Sequence, residues 1–598
     1  MLHHMNPSPS QLQRLLLPQP KQCEWSDSWV TLTQSHHQWL KEYQATGNAS
    51  TRPKAPSLVA QINPSTTSRP QGYSIHISTS EITLQGTDEA GLNYALCTLK
   101  QLISLANNRI PCGVITDWPD FLHRGVMLDI SRDKVPTMET LFSIIDTLSS
   151  WKINQFQLYT EHTFAYAGHE TVWQNASPLT SEQIHKLDAH CLKHGIELVA
   201  NQNSFGHMHR WLIHEPYRQL AECPEGIEHA FSPKPEPFGL CPTNPQSLTF
   251  LDDLYTQLLP CFQSNWVNVG LDETIDLGIG KSKQACNELG KGRVYLNFVK
   301  HIHKLLAKHG KQMQFWGDII LQYPELIREL PKDAVVLEWG YEADHPFDKH
   351  GSQFAKAGLD YYVCPGTSAW NSIAGRTDNA IANLANAAQN GLKHGAAGYL
   401  ITDWGDNGHL QPLTTSYPGW LTGAAFAWSV PSSAQLESFP LPQLLDHHLF
   451  QDSAQIMGQL VCDLGNAYQQ TGVILANRSL LFQLLIFPEK NLPRLSEWGV
   501  NTQALMSTQT FIAQTLARLG QANMQQMDED IIVTEITWAA QALTLGAQIG
   551  ISGLKQSLKA PLEDLAQKHR AQWLLRNRPG GLNESHARLQ RVIKLLAD

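Results

Sequence analysis

HRGVMLDISRDKVPTMETLFSIIDTLSSWKINQFQLYTE, residues 123–161, decides the architecture. Two apolar runs of strand length, 123–131 and 153–161, bracket a segment in which Met138, Leu141, Ile144, Ile145 and Leu148 recur at helical spacing. Pro136 suits the first turn of that helix, where a missing N–H costs nothing. Near-continuous apolar strands, alternating with helices, indicate a parallel sheet buried on both sides.

The unit recurs. Strands are expected at 196–202 (IELVANQ), 266–273 (WVNVGLDE), 312–318 (QMQFWGD), 334–340 (AVVLEWG), 360–366 (DYYVCPG) and 395–405 (GAAGYLITDWG). Helical patterns fall at 136–150, 180–194, 246–260, 292–309, 323–330, 347–357, 376–391 and 418–429. Eight units over roughly 300 residues predict an α/β fold, a (β/α)8 TIM barrel. The competing open, doubly wound sheet would want a Gly-rich phosphate loop after its first strand, and none follows.

YSIHISTSEITL (73–84) alternates as a hairpin does, and 88–105 carries a helical apolar stripe. Residues 49–71, rich in Ser, Thr and Pro, read as loop. Beyond about residue 432 strand patterns stop, and 501–521 and 529–548 read as long helices. The expected organisation is a small N-terminal α/β domain with a leading segment (1–115), the catalytic barrel (116–431) and an all-helical C-terminal domain (432–598). That last part reads as a packing or homodimer surface.

Composition narrows the functional classes. With 42% hydrophobic and 16% charged residues the 598-residue chain is globular. A net charge of −10 offers no footprint for nucleic acid, and no apolar run reaches the 18 residues of a membrane span. Leu15–Leu17 is too short for a signal-peptide core. Ten scattered cysteines without a CxxC pair read as reduced thiols. The cytoplasm is the expected location.

In a TIM barrel the C-terminal strand ends line the active site. Polar residues gather there: Asp129, Glu161, Gln202 with Asn203, Asp272 with Glu273, Asp318, Glu338, and Asp403 with Asp406. Trp316, Trp339, Trp370 and Trp404 join them. Carboxylates that accept hydroxyl hydrogens, walled by indoles that stack on C–H faces, suit a neutral sugar. Asp272 and Glu273, in WVNVGLDET (266–274), are adjacent. Most glycosidases need two carboxylates facing each other across the scissile bond. An adjacent pair suits a 2-acetamido sugar that attacks its own anomeric carbon. One carboxylate then holds the acetamido N–H, and the other protonates the leaving oxygen and later deprotonates water. A lone DE dipeptide is more commonly a surface pair or a helix cap. His207, His209 and His214, in HMHRWLIH (207–214), lack the converging partners of a zinc site. No metal and no cofactor are expected.

RGVMLDISRDKVP (124–136), WKINQFQLY (151–159), FGH (205–207) and VGLDE (269–273) together resemble family 20 glycoside hydrolases, the β-N-acetylhexosaminidases. YSIHISTSEITLQGTDEAGLNYALCTLKQLI (73–103) resembles the small domain that precedes the barrel in that family. The resemblance implies that Arg124 bonds hydroxyls at the far side of the sugar ring and that Glu161 and His207 support catalysis. It implies that Asp272 orients the acetamido group and Glu273 is the general acid/base. Trp316, Trp339 and Trp404 would form the acetamido pocket and sugar platform, and Asp406 would contact sugar hydroxyls. Trp370 and Asn371 occupy the loop where the family carries a tyrosine. Asn268 and Leu271 stand where the family's His-x-Gly-Gly-Asp-Glu has His and the second Gly, and the usually His-rich second strand reads QFQLYTEH, so this is a divergent member. The implied activity is exo-acting and retaining, on terminal non-reducing β-linked GlcNAc or GalNAc of a glycan, through an oxazolinium. A GalNAc-specialised enzyme and a non-catalytic sugar-binding barrel are the alternatives.

Overall fold

A computed structural model describes residues 7–229, 232 and 234–596. The alternation at 73–84 becomes two antiparallel strands, β3 (Tyr73–Ile77) and β4 (Glu81–Gly86). With β1 (Gln22–Thr31), β2 (Ser57–Ile62) and β5 (Arg109–Asp117) they form one sheet of order β1-β5-β3-β4-β2. Ile75, Ile77, Ile82 and Leu84 point to one face and pack on the Leu92–Leu99–Leu102 stripe of helix Glu89–Leu105. Two features depart from expectation. Residues 49–71 contain β2, and the leading segment supplies β1 and a helix, Gln34–Thr46. β1 and β2 are the outer strands of the sheet, largely solvated, so neither carries the apolar period that marks a strand.

The eight strand–helix units close into a parallel barrel: β6 (His123–Asp129), β7 (Gln155–Tyr159), β8 (Glu197–Asn201), β9 (Trp266–Asn268), β10 (Gln312–Trp316), β11 (Val335–Trp339), β12 (Tyr361–Cys364) and β13 (Gly398–Asp403). Strand β13 pairs with β6, which closes the ring. The first crossover helix runs Met138–Ser150, two residues later than the proline suggested, because the Thr137 side chain accepts from Thr140 N and is the cap. At 324–329 the expected helix is a 3-10 turn. Inside the barrel a polar layer of Gln157, Asn268 and Gln314 is joined by hydrogen bonds of 2.8 and 3.0 Å. Above it lies an aromatic layer of Tyr159, Trp316 and Trp404.

The C-terminal region is helical, including Thr502–Ala517, Glu529–Ser552, Lys559–Arg576 and Leu582–Lys594. It shares one apolar core with the barrel helices. It also straps the loops at the C-terminal ends of the barrel strands: Arg578 N donates to Val135 O at 2.8 Å, and the Ser585 hydroxyl donates to Gly408 O.

Candidate active site

Strand β9 ends at Asn268, and the chain then turns sharply: Gly270, Leu271 and Glu273 have φ of 70°, 75° and 47°. A Cβ on Gly270 would lie 1.7 Å from Asn203 Oδ1, and one on Gly206 would lie 2.4 Å from the Asp272 carbonyl oxygen. Both glycines are therefore demanded by close approach of the FGH and VGLDE segments. Leu271 has no such licence; it is fully buried, and packing holds it in a conformation that costs a non-glycine residue about 1–3 kcal/mol.

That turn delivers Asp272 and Glu273 to one imidazole. His207 Nε2 lies 3.0 Å from Glu273 Oε2 and 3.5 Å from Asp272 Oδ2. A sugar ring cannot sit between two carboxylates that share one nitrogen, so they are not the facing pair of an ordinary glycosidase. Burial would lower the His207 pKa, but the Asp272 charge and the hydrogen bonds the imidazole donates to both carboxylates outweigh it and carry it up to about 10. Glu273 is 36% exposed in its side chain, whereas Asp272 is buried and its Oδ1 has no hydrogen-bond partner among the described residues. Asp318 accepts the Glu273 backbone N–H at 3.0 Å. Burial and the neighbouring Asp272 charge push the Asp318 carboxyl up to about 8.

On the other flank, Glu161 accepts from the Tyr159 hydroxyl at 3.0 Å and lies 3.9 Å from His207 Nδ1. Asp406 lies 3.6 Å from Arg132 Nε and accepts from Asn371 Nδ2 at 3.4 Å. The aromatic wall runs from Trp316 to Trp404, whose ring centroids are 5.8 Å apart. It continues from the Trp404 indole, which donates to Tyr341 Oη at 2.7 Å, to Trp339 stacked on Tyr341. Trp339 also donates to Asp318 Oδ1 at 3.4 Å. Glu161, His207, Asp272, Glu273, Trp316, Trp339, Trp404, Asn371 and Asp406 thus converge on one crater. Trp370 differs in its partners, not in its burial, since Trp316 is as buried: it packs edge-on against Tyr341 and donates its indole N–H to Asn477 Oδ1 at 2.9 Å, whereas the Trp316 indole N–H has no hydrogen-bond partner among the described residues. Trp370 backs the wall rather than lining it.

Arg124 does not reach the crater. It opens β6 instead of ending it, and at about 3.3 Å per residue it lies roughly 16 Å from Asp129. Fully buried, it donates to Lys152 O, Phe121 O and the Tyr94 hydroxyl and lies over Trp428, tying the N-terminal domain to the barrel floor. The cation at the crater is Arg132, which sequence reasoning passed over. Its guanidinium bonds Asp129 at 3.0 Å, approaches Glu161 at 3.7 Å and lies over the rings of Tyr159 and Trp404. Burial opposes its charge, and Tyr159 with these acids more than restores it, so its pKa is raised well above the ordinary arginine value. The signal available was position: Arg132 follows the β6 terminus by three residues, on the loop side that carries function. Tyr341 and Asn477 were also missed; Asn477 comes from the helical region, where no spacing pointed to chemistry.

Residues 121–393 match glycosyl hydrolase family 20, catalytic domain, and residues 16–118 match glycosyl hydrolase family 20, domain 2. Among curated proteins, beta-hexosaminidase subunit A1 of Dictyostelium discoideum is 27% identical over 217 residues, 34% of this chain and 40% of that one. Lacto-N-biosidase of Bifidobacterium bifidum is 24% identical over 286 residues, 45% of this chain and 24% of that one. Beta-hexosaminidase of Vibrio furnissii is 23% identical over 419 residues, 60% and 64% of the two chains. In each case less than two thirds of the relative is spanned. The structure of Flavobacterium johnsoniae chitobiase superposes with a TM-score of 0.59 at 18% identity, covering 97% of this chain and 99% of that one. An exo beta-N-acetylglucosaminidase of Vibrio harveyi in complex with N-acetylglucosamine gives 0.56 at 18% identity, covering 74% and 78%. These structural likenesses report the shared fold.

Proposed function

On the premise that this chain belongs to glycosyl hydrolase family 20, we propose that it is an exo-acting, retaining β-N-acetylhexosaminidase. Its substrate is a glycan with a terminal non-reducing β-linked GlcNAc or GalNAc. The observation that carries this reading is the pairing of Asp272 and Glu273 on a single histidine nitrogen, with one oxygen of Asp272 buried and without a hydrogen-bond partner among the described residues. A buried acceptor without a donor is costly, and an acetamido N–H would satisfy it.

In the first step the acetamido oxygen attacks the anomeric carbon. The glycosidic C–O bond breaks as Glu273 gives its proton to the leaving oxygen, while Asp272 takes the N–H hydrogen bond and offsets the positive charge of the oxazolinium. In the second step Glu273 removes a proton from water, which adds to the anomeric carbon and reopens the ring. The product keeps its configuration. The charged His207 beside Glu273 stabilises the carboxylate left after proton donation. Arg132 and Asp406 would hold ring hydroxyls, and the indoles of Trp316, Trp339 and Trp404 would enclose the acetamido methyl and the ring face.

Hydrolysis of p-nitrophenyl β-GlcNAc and β-GalNAc, with GlcNAc-thiazoline as inhibitor, tests the proposal. Cleavage blocked by the thiazoline supports it, and the ratio of the two rates reads the C4 preference. No cleavage of either aryl glycoside or of chito-oligosaccharides favours the sugar-binding barrel instead. All ten cysteines are unpaired, which supports a reducing, cytoplasmic setting; no helix of the described residues is long and apolar enough to cross a membrane. Asn477 already braces the wall of this crater from behind within the same chain, so a homodimer would have to leave that wall in place. Sedimentation velocity reads the assembly directly.

A further inference from the structure

Outside the crater, strand β11 carries a second group of titratable side chains. Val335, Leu337 and Trp339 face the barrel interior, so Glu338 points outward with Val336, toward helix Phe347–Ala357. Its carboxylate is 2% exposed, yet no lysine or arginine pairs with it among the described residues. One oxygen, Oε1, meets two imidazoles instead: His345 Nε2 at 2.8 Å and His350 Nδ1 at 2.6 Å. The three ligand atoms lie within 4.8 Å of one another, and both histidines are 20% exposed, which leaves an approach from solvent. A further polar atom lies close by. The Tyr361 hydroxyl is buried without a hydrogen-bond partner among the described residues, and burial together with the Glu338 charge pushes its pKa up.

We propose that Glu338, His345 and His350 form a binding site for a borderline divalent transition cation, zinc foremost. Two imidazoles and one carboxylate are the donor set of such ions, while calcium and magnesium want oxygen alone. Around a tetrahedral ion with ligand bonds of about 2.0–2.1 Å the donor atoms stand roughly 3.3 Å apart, so each contact opens by about half an ångström when the ion enters. The open position faces the solvent side. Placement gives the site its consequence. Glu338 precedes and His345 ends the loop that carries Tyr341, which accepts from Trp404, and Glu342, which pairs with Arg376 at 2.8 Å. A cation there staples both ends of the loop behind the aromatic wall.

The test is calorimetric titration of the EDTA-stripped full chain with Zn2+, alongside His345→Ala combined with His350→Ala, and Glu338→Gln. Because His207 with Asp272 and Glu273, and Asp146 with His190 and His194, could also take zinc, His190→Ala combined with His194→Ala is the control. The expected result is one zinc equivalent lost in the histidine pair variant and in Glu338→Gln, and kept in the control, with zinc raising the melting temperature of the wild type more than that of either variant. Glu338→Gln keeps an acceptor for both imidazole N–H groups, so its metal-free melting temperature should stay near wild type and separate lost metal binding from misfolding. An unchanged zinc count in Glu338→Gln overturns the proposal and leaves a carboxylate held by two imidazoles.

Discussion

His207 spans the crater: its Nε2 lies 3.0 Å from Glu273 Oε2, while its Nδ1 faces Arg132 at 3.5 Å and Glu161 at 3.9 Å. Against the penalty of burial, Asp272 and Glu273 hold it protonated, with a pKa of about 10 in place of the ordinary 6.5. A group whose folded pKa is raised contributes stability that is fully present below the unfolded value and is lost as pH rises through the folded one. The melting temperature of the wild type should therefore fall between pH 7 and 10 more steeply than that of His207→Gln. Thermal unfolding by circular dichroism across that range checks it, and parallel curves would mean the imidazole is not charged in the fold.

Glu273→Gln removes the proton donor and should cost about 10²–10⁴-fold in kcat on oligosaccharides. Aryl glycosides with good leaving groups need less protonation and should lose far less. For Asp272→Asn the loss should be similar for both substrate types, because Asp272 acts on the attacking acetamido group and the oxazolinium charge, whatever the leaving group. Steady-state kinetics on the two substrate types separate the roles; equal losses in Glu273→Gln would argue against the acid.

Arg132 and Arg124 should behave oppositely. Arg132→Ala removes charged hydrogen bonds worth about 1.5–3 kcal/mol and should lower kcat/KM about 10–100-fold with little change in secondary structure. Arg124→Ala leaves buried carbonyl oxygens unpaired on the barrel floor and should cost about 3 kcal/mol of stability, with kcat/KM per folded molecule unchanged. Urea unfolding run beside kinetics distinguishes them, and an Arg124 variant with normal stability and lost activity would reverse the assignment.

The contrast between these arginines marks what the sequence could convey. The barrel strands were legible because most are near-continuous apolar runs and most are followed by a helix with a 3.6-residue stripe; the polar interior layer of Gln157, Asn268 and Gln314 and the 3-10 turn at 324–329 are the exceptions. The sheet edges β1 and β2 were not, since solvated edge strands carry no such period. At the site, Asp272, Glu273 and His207 could be read from strand-end position and motif. Arg124 shares the strand of Asp129 but lies at its wrong end, a distinction that depends on where the strand begins. Asn477 lies 107 residues from Trp370, the partner it bonds, and nothing local to ILANRSLL announces that contact.

Asn477→Ala should loosen the wall from behind. It strips the buried Trp370 indole N–H of its acceptor and removes nothing that touches the carboxylates. The unsatisfied donor costs about 1–3 kcal/mol, while the Asn477 backbone carbonyl that accepts from Asn371 Nδ2 at 3.5 Å is kept, so the effect is confined to Trp370 and the wall it backs. The expected outcome is a raised KM with kcat nearly unchanged. A fall in kcat at constant KM would place Asn477 in the chemistry instead of in the wall.

Asp318 offers the sharpest pH test. With its carboxyl pushed up to about 8 by burial and by the Asp272 charge, it is neutral where the enzyme would work. As pH rises past 8 it ionises and sets a further negative charge beside Asp272 and against Glu273, whose backbone N–H it accepts at 3.0 Å. That charge disturbs the balance that leaves only Asp272 to face the acetamido group, and activity should decline. An asparagine is nearly isosteric with the neutral acid and still accepts the Glu273 N–H. Asp318→Asn should stay within about tenfold of wild type at pH 6, one step of about 1.4 kcal/mol in the barrier, and should lack the decline centred near pH 8. Profiles of kcat/KM from pH 5 to 10 for the two proteins decide it: superposed alkaline limbs would assign the decline to another group, and a collapse of Asp318→Asn at pH 6 would mean that the ionised carboxylate is the form that positions Glu273.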